Sequence, residues 1–357
     1  MPTFSAVKSA STPRTPSPDR APRRPERHDR APAPAVYAVS DLHVRYPANR
    51  AFVARLRPRT DHDWLIVAGD VGEFAADVEW ALRTLADRFH TVVWAPGNHE
   101  LWTPPTDPVQ LRGEQRYLHL VALCRRLGVV TPEDPWPVWR GEGGPVAIVP
   151  LHLLYDHTLL PAGTATTEEA LARARAADIV STDEVHLHTD PYPGVADWCR
   201  ARVELTERRL AALDPELPTV LVNHFPLTAH PTRTLHHPEF ALWCGARRTA
   251  HWHRRYHALA VVYGHLHIPR THFVDGVRCE EVSVGYPREW RARGEQPPAP
   301  RRILPFAPAD DEPAPAAYEP ATAAAEPATV TDEPTPVPLT PAPGADEPAT
   351  APPGAAA

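Results

Sequence analysis

The sequence has no long apolar run and few cysteines. Nowhere among its 357 residues do about 18 apolar residues follow one another, which excludes a transmembrane helix. The N-terminal region also has no apolar segment of the length that a secretion signal needs. Four cysteines lie far apart and form no CxxC pair: Cys124, Cys199, Cys244 and Cys279. These absences predict reduced thiols and a location in the cytoplasm.

Basic residues are absent from one end of the chain. Residues 307–357 contain thirteen prolines, nine acids and no Lys or Arg, whereas residues 1–34 contain eight prolines, seven Lys or Arg and three acids. Neither segment has enough apolar surface to offset the entropy lost on ordering, so both are predicted to be disordered tails. The predicted folded domain, residues 35–306, has a net charge near −2. That balance argues against nucleic acid as the main partner.

Apolar runs alternate with helical patterns through the predicted domain. Six runs are continuously apolar, as in strands covered on both faces. They are Ala35–Ser40, Trp64–Ala68, Thr91–Ala95, Val146–Pro150, Thr219–Val222 and Leu259–Tyr263. Amphipathic helices are predicted at Ala75–Phe89, Val109–Leu127 and Val195–Leu213. Asp275-Gly276 is a two-residue turn signal that predicts a hairpin over Thr271–Ser283. The whole pattern predicts an α/β fold with sheets flanked by helices.

Five of the predicted strands are followed by polar motifs. The motifs supply two aspartates, one asparagine and five histidines: Asp41, His43, Asp70, Asn98, His99, His224, His265 and His267. Strand-end loops converge in open α/β sheets, so residues distant in sequence can share one cavity. Positions i and i+2 of an extended segment point to the same side, which allows Asp41 and His43 to face one ion, and His265 and His267 repeat this spacing at another strand end. Carboxylates and imidazoles of this kind are what a pair of hydrolytic divalent metals requires.

Some motif residues have a more specific expected role. A carboxylate has two oxygens, so Asp70 can bridge two neighbouring cations. Asn98 offers a neutral amide oxygen that limits the negative charge of the site. Glu73 and Glu100 are candidates for orienting the ligating histidines, with an ordinary structural role as the alternative.

The five motifs, in this order, resemble those of the calcineurin-like metallophosphoesterase superfamily. The resemblance spans Asp41 to His267 and implies a four-layer αββα sandwich. It also implies one metal held by Asp41, His43, Asp70 and His267, and a second held by Asp70, Asn98, His224 and His265. His99 matches a histidine that acts beside the metals as general acid or stabilises a phosphate oxygen. Because this ligand set has no thiolate, manganese or iron is expected, with zinc as a further option.

Longer stretches around the motifs resemble the phosphopantetheinyl hydrolases of actinobacteria. The matching stretches lie within residues 35–305 and read DWLIVAGDV, PGNHELW, GGPVAIVPLHLLYDH, TVLVNHFPL, YGHLHIPRT and EEVSVGYPREW. Those enzymes remove 4′-phosphopantetheine from holo-acyl carrier protein, so the resemblance implies holo-acyl carrier protein as the substrate and partner. The leaving group would be the serine alkoxide or the pantetheine alcohol, either of which is a poor leaving group, and His99 is the candidate that protonates it.

Several alternatives remain open at this point. The motifs describe the metals and not the substrate, so a phosphoprotein phosphatase or a nucleotide or small-molecule phosphodiesterase fits them equally well. A non-enzymatic binding subunit on the same fold, or a recruiting role for the tails, are further options. Tyr155 and Asp156 are candidate substrate contacts, with ordinary hydrogen-bonded structure as the alternative. Arg288 is a candidate contact for a phosphate or an acidic carrier helix, with a structural ion pair as the alternative.

Overall fold

The computed structural model describes residues 32–306. Within this range four strands form a first sheet in the order β10-β1-β2-β3. The strands are β1 (Val36–Val39), β2 (Trp64–Val67), β3 (Thr91–Trp94) and β10 (Arg301–Leu304). The first three are parallel, and β10 pairs antiparallel with β1. Apart from residues 32–34, the two predicted tails lie outside the described residues.

A second sheet contains six strands in the order β4-β5-β6-β7-β9-β8. They are β4 (Val138–Trp139), β5 (Val146–Pro150), β6 (Thr219–Val222), β7 (Ala258–Tyr263), β8 (Arg270–Val274) and β9 (Val277–Glu281). The four strands β5, β6, β7 and β9 are parallel, and the edge strands β4 and β8 are antiparallel to their neighbours. Strands β8 and β9 form the predicted hairpin, turning at Asp275-Gly276.

Eight α-helices surround the sheets in the described residues. They are α1 (Pro47–Arg55), α2 (Ala75–Ala86), α3 (Gly113–Arg126), α4 (Thr167–Ala176), α5 (Asp183–His186), α6 (Val195–Leu210), α7 (Trp252–Arg255) and α8 (Pro287–Ala292). Short 3-10 turns lie at His99–Leu101, Pro231–Thr234, Pro238–Trp243 and Arg247–Thr249.

The apolar core has two layers because side chains alternate along each strand. Residues on the inner faces, among them Val36, Ile66, Ile148 and Val262, pack together between the two sheets. Residues on the opposite faces, such as Tyr37, pack with the helices in a separate cluster. The arrangement confirms the predicted sandwich of two sheets flanked by helices.

Most predicted elements are present, with shifted ends. All six predicted strands end within one residue of their predicted last residue, and Ala35–Ser40 is also one residue shorter at its start, at Val36–Val39. The helix predicted from Val109 begins instead at Gly113. The segment before it stays a loop because the Asp107 carboxylate accepts a hydrogen bond from Val109 N, and Arg116 donates to Val109 O. The elements that the patterns did not predict include α1, α4, α5, α8, β4 and β10.

The parallel strands of both sheets have their carboxyl ends at one edge of the sandwich. A backbone bridge between Ser40 and Ser283 joins the two sheets directly beyond β1 and β9. The loops that carry the predicted ligands therefore meet at this edge, as expected for a sheet of this type. Among residues 32–306, no helix has the length and apolar character that crossing a bilayer requires.

Candidate metal centre

The structure brings all seven predicted metal ligands and His99 together at this edge. One group is formed by Asp41, His43 and His267, whose ligand atoms lie within 4.8 Å of one another. Nε2 of His267 is 3.0 Å from Oδ1 of Asp41 and 3.3 Å from Nε2 of His43. Three donor atoms converge here from the ends of β1 and β7, so this group has the chemistry and spacing to hold a divalent cation.

A second group lies beside the first and consists of Asp70, Asn98, His224 and His265. Nε2 of His224 is 3.3 Å from Oδ2 of Asp70 and 3.1 Å from Oδ1 of Asn98. The His265 ring centroid is 5.2 Å from that of His224. Oδ2 of Asp70 also lies 3.9 Å from Nε2 of His43, in the first group. The Asp70 carboxylate therefore sits between the two groups, where a bridging ligand is needed.

Whether these residues fit metal ions can be judged from the hydrogen bonds of the histidine ring nitrogens, beginning with the Nδ1 atoms that face away from the centre. Nδ1 of His224 is 2.9 Å from the Ala68 carbonyl oxygen, and Nδ1 of His267 is 2.9 Å from Glu289 Oε2. An Nδ1–H that donates to such acceptors leaves the Nε2 lone pair free for a cation. Nε2 of His265 is buried with no hydrogen-bond partner among the described residues. These donors fit the pair of divalent ions that the sequence predicts.

Asp41 is held by hydroxyl groups from both sheets. Its Oδ2 accepts hydrogen bonds from Ser40 Oγ at 2.6 Å and Ser283 Oγ at 2.7 Å. The amide of His265 also points at this carboxylate. Because Ser283 follows β9 and Ser40 follows β1, both sheets determine where this oxygen-bearing side chain lies.

The backbone of five predicted ligands adopts an unusual conformation. Positive φ angles occur at Asp41 (52°), His43 (37°), Asp70 (52°), His265 (71°) and His267 (55°). This left-handed region is sparsely populated by residues other than glycine, and such strain is concentrated at functional sites. The loops therefore hold these side chains in place at a conformational cost, a feature that no residue pattern in the sequence reveals.

Two glycines allow the loops to approach the carboxylates closely. A Cβ atom on Gly97 would collide with Oδ1 of Asp70, and one on Gly264 would collide with Oδ2 of Asp41. Both glycines directly precede predicted ligands. Their role is steric, since only a residue without a side chain fits against the carboxylate.

Glu100, a predicted candidate for orienting a ligating histidine, hydrogen-bonds the backbone of the ligand loops instead. It is fully buried, and its carboxylate accepts hydrogen bonds from the backbone amides of Asp70, Val71 and Gly97 and from the Trp94 indole. It therefore fixes the backbone of two ligand loops, and none of these four hydrogen bonds involves a ligating histidine ring. Burial, and then the Asp70 charge, raise the pKa of Glu100 to about 7.

Opposite charges dominate the centre. Burial alone would lower the pKa of His224, but the carboxylates of Asp70 and Asp41 raise it to about 10. Burial would likewise raise the pKa of Asp70, but His224 and His99 hold it well below its ordinary value. Burial of His265, followed by the positive charge of His224, lowers the pKa of His265 to about 3, so this ring is neutral. The carboxylates and His265 are therefore in the protonation states that bind metal ions, whereas His224 would release its proton as an ion binds.

His99 lies beside the ligand groups and is oriented by two neighbours. Its Nδ1 is 3.0 Å from Glu73 Oε1, and its ring stacks on Trp102 with centroids 3.8 Å apart. Its Nε2 is 3.8 Å from Oδ2 of Asp70. Burial opposes protonation, but the charges of Asp70 and Glu73 raise the pKa of His99 to about 9. The imidazolium form, with one proton held at Nε2 toward the centre, is thus favoured.

The candidate substrate residues lie in different environments. Tyr155 is buried against Phe225, and Asp156 accepts hydrogen bonds from the backbone and side chain of Thr158. Arg288 is exposed, and its Cζ lies 5.0 Å from the Tyr286 ring centroid. The structure thus places Arg288 at the rim and the other two in a packed segment, while a substrate role for each stays a prediction.

The sequence patterns missed three residues that contact the centre. Tyr286 stacks on His43 with centroids 4.4 Å apart, Glu289 bonds His267, and Asp183 bonds Asn98. The first two lie in the GYPREW stretch, so the resemblance there was a usable signal. Asp183 lies in a segment with no recognisable motif.

The sandwich, with histidines, aspartates and one asparagine gathered where its parallel strands end, has the features of a metallophosphoesterase. The family model for calcineurin-like phosphoesterases matches residues 34–269. The chain therefore belongs to the calcineurin-like phosphoesterase family, metal-dependent hydrolases that use a dinuclear metal centre.

Two named proteins are similar over most of the chain. The acyl-carrier-protein phosphodiesterase PptH of Mycobacterium tuberculosis is 54% identical over 260 residues, which cover 73% of this chain and 80% of that protein. The crystal structure of phosphopantetheinyl hydrolase (PptH) from Mycobacterium tuberculosis matches with a TM-score of 0.76 and 51% identity, covering 78% of this chain and 99% of that one. Both matches confirm the resemblance predicted from the sequence stretches.

Proposed function

We propose that this protein hydrolyses the phosphodiester that joins 4′-phosphopantetheine to the serine of holo-acyl carrier protein. The observation that carries the proposal is the 54% identity to an acyl-carrier-protein phosphodiesterase over 260 residues. An identity of this size extends well beyond the metal motifs, which by themselves say nothing about the substrate.

In this proposal the two groups of side chains hold two divalent metals. Asp41, His43 and His267 would hold one, Asn98, His224 and His265 would hold the other, and Asp70 would contribute to both. Manganese or iron suits nitrogen and oxygen donors without thiolate, and zinc is also compatible. When bound, the metal pair supplies a water of lowered pKa and stabilises charge on the phosphoryl oxygens.

His99 acts as the general acid in this proposal. The serine oxygen leaves as an alkoxide, which needs a proton in the transition state. Glu73 holds Nδ1 of His99 at 3.0 Å, and this leaves Nε2 directed at the centre. The proton passes from Nε2 to the departing serine oxygen, and the Glu73 carboxylate stabilises the imidazolium before the transfer.

The rim beside His43 offers a recognition surface for the substrate. Arg288 lies over Tyr286, and Arg45 lies over Phe74 with 4.2 Å between its Cζ and the ring centroid. Both guanidinium groups are exposed. Arginines stacked on rings are pre-oriented donors for phosphate or carboxylate groups, so we assign them to the phosphate or to acidic side chains of the carrier.

The cytoplasm stays the proposed location. All four cysteines are buried free thiols, as a reducing compartment favours. Holo-acyl carrier protein would be the partner met there, and nucleic acid is not proposed as one.

The test is intact-protein mass spectrometry of purified holo-acyl carrier protein incubated with the manganese-loaded enzyme. We expect loss of the phosphopantetheine mass and return of the apo-carrier, and we expect no reaction with an Asp70→Ala variant. An unchanged carrier, with turnover of a phosphoprotein, a cyclic nucleotide or another phosphodiester, would replace this function by one of the alternatives. A chain that binds two metals and hydrolyses none of these would point to a binding role.

A further inference from the structure

Asp183 is a buried carboxylate that the proposed reaction does not use. It lies in the four-residue helix α5, within the long connection between β5 and α6, and it is 1% exposed. Its neighbour Glu184 is exposed to solvent. A carboxylate is rarely buried without a structural or functional partner, so its contacts are informative.

One oxygen of Asp183 binds two donors that belong to the centre. Oδ1 accepts a hydrogen bond from Asn98 Nδ2 at 2.8 Å and another from Trp102 Nε1 at 2.6 Å. The segment around it is fixed by the backbone as well, through a bridge between Trp102 and Leu187 and a bond from Thr103 N to His186 O at 3.0 Å. The carboxylate is therefore held rigidly against the loop that follows β3.

The bond to Asn98 determines which end of the amide faces the centre. An amide side chain presents either an acceptor oxygen or two N–H donors, and only the oxygen binds a cation. With Nδ2 donating to Asp183, Oδ1 of Asn98 is directed at His224 Nε2, 3.1 Å away. Rotating the amide by 180° would set its oxygen against a carboxylate and aim its N–H groups at the metal position.

The bond to Trp102 affects a different residue of the centre, His99. Trp102 stacks on His99 with an interplanar angle of 28°. The same carboxylate thus fixes the indole against which the proposed general acid rests. Asn98 and, through Trp102, His99 therefore both depend on a single buried oxygen atom, Oδ1 of Asp183.

We propose that Asp183 is a positioning residue that orients Asn98 for the second metal ion and supports the Trp102 wall beside His99. The proposal rests on the metal site described under the proposed function. It extends that site to a segment between β5 and α6 that contributes no metal ligand of its own.

The test is a manganese titration of chelator-treated protein by isothermal calorimetry, with elemental analysis of the loaded chain. Asp183→Ala is expected to bind one ion as the wild type does and the second about 10- to 100-fold more weakly, the usual effect of losing a partner that orients a ligand. Glu184→Ala removes a carboxylate one position along the same helix and should bind both ions as tightly as the wild type.

Two further variants separate orientation from packing. Trp102→Phe removes the indole donor and leaves the Asn98 bond, so the second ion should keep its affinity within about 3-fold. Asp183→Asn keeps the side-chain size and one acceptor oxygen, and a loss of about 3- to 10-fold is expected for the second ion. This variant decides the matter should the alanine variant fail to fold.

Three outcomes would overturn the proposal. A folded Asp183→Ala, or the asparagine variant in its place, that binds both ions like the wild type would remove Asp183 from the site and leave the metal assignment intact. Weakening of the second ion in Trp102→Phe as large as in Asp183→Ala would show a packing effect. A wild type that binds fewer than two ions would refute the metal site itself, and this inference with it.

Discussion

Each histidine of the centre has two ring nitrogens, and their surroundings differ. For His224, His267 and His99, Nδ1 meets an acceptor of the protein, while Nε2 points at the centre. The acceptors are a backbone carbonyl and two glutamates, so they set the orientation of each ring before any ion binds and keep the proton on Nδ1 when Nε2 loses its own.

The acid role of His99 predicts a dependence on the leaving group. His99→Ala should lower kcat for holo-acyl carrier protein by about 10²- to 10⁴-fold, because the serine oxygen then departs without a proton. The same variant should lose much less activity toward a nitrophenyl phosphodiester, whose leaving group is stable unprotonated. Steady-state kinetics with both substrates and elemental analysis of the protein measure this.

The control is His251→Ala. His251 is exposed and precedes β7, whereas the ligands follow the carboxyl end of that strand, so both activities should be unchanged. Equal losses of His99→Ala on the two substrates would contradict the acid role, and so would loss of bound metal.

At the scale of elements, the centre depends on how closely the strand-end loops approach one another. Gly264, directly after β7, leaves room for Asp41 and Ser40 from the end of β1. The two strands belong to different sheets, so this contact is part of the junction between the sheets. A small change in one loop therefore reaches a ligand on the other.

Gly264→Ala should displace the Asp41 carboxylate and weaken manganese binding by about 10- to 100-fold. Gly194→Ala is the matched control. At Gly194 the nearest atom to an added Cβ is 3.8 Å away, and φ is −164°, so the substitution should be silent. Calorimetric titration of both variants gives the comparison, and equal affinities would disprove the steric role of Gly264.

Helix α3 supports the ligand loops through one buried guanidinium. Arg116 is fully buried and donates to the Asp107 carboxylate at 2.9 Å and to the carbonyl oxygens of Glu100 and Glu73, each at 2.7 Å. Removing one partner of a buried ion pair leaves an uncompensated charge. These contacts connect the helix to the loops after β2 and β3.

Arg116→Met should therefore lower the free energy of unfolding by about 3–5 kcal/mol. Arg126→Met alters an exposed arginine of the same helix and should change it by less than about 0.5 kcal/mol. Urea unfolding followed by circular dichroism measures both. A neutral Arg116→Met would mean that the pair contributes nothing net to stability.

The sequence predicted the elements on which the metal motifs lie, because continuous apolar runs such as Trp64–Ala68 and their polar endings are local signals. It did not predict α5 and β10, because their residues carry no local pattern and form these elements only through tertiary contacts. Asp183 is recognisable as a partner of Asn98 only once the chain is folded. The same holds for the positive φ angles at ligands such as Asp41, since nothing in the sequence marks them.

At the scale of the molecule, one sandwich supplies every predicted site residue from residues 41–288. The first sheet contributes the loops after β1, β2 and β3, and the second contributes those after β6, β7 and β9. Neither sheet alone completes either group of ligands. The centre is therefore a product of the whole domain, which explains why its residues are scattered along the chain.

The predicted domain boundary can be tested by truncation. A chain of residues 35–306 contains all of these loops and both sheets, so its kcat/KM for a nitrophenyl phosphodiester should lie within about twofold of the full chain. Removal of residues 307–357 alone serves as the intermediate control. A large loss in the shorter chain, with unchanged melting, would assign a function to one of the end segments.

The most direct measurement is X-ray diffraction from crystals of the manganese-loaded protein, with data collected near the manganese edge. We predict two anomalous peaks about 3.5–4 Å apart, one on each side of the Asp70 carboxylate. Asp70→Ala crystals should show neither peak at full occupancy. A single peak, or ions bound away from Asp41, His43, Asn98, His224, His265 and His267, would contradict the dinuclear centre and the chemistry proposed for it.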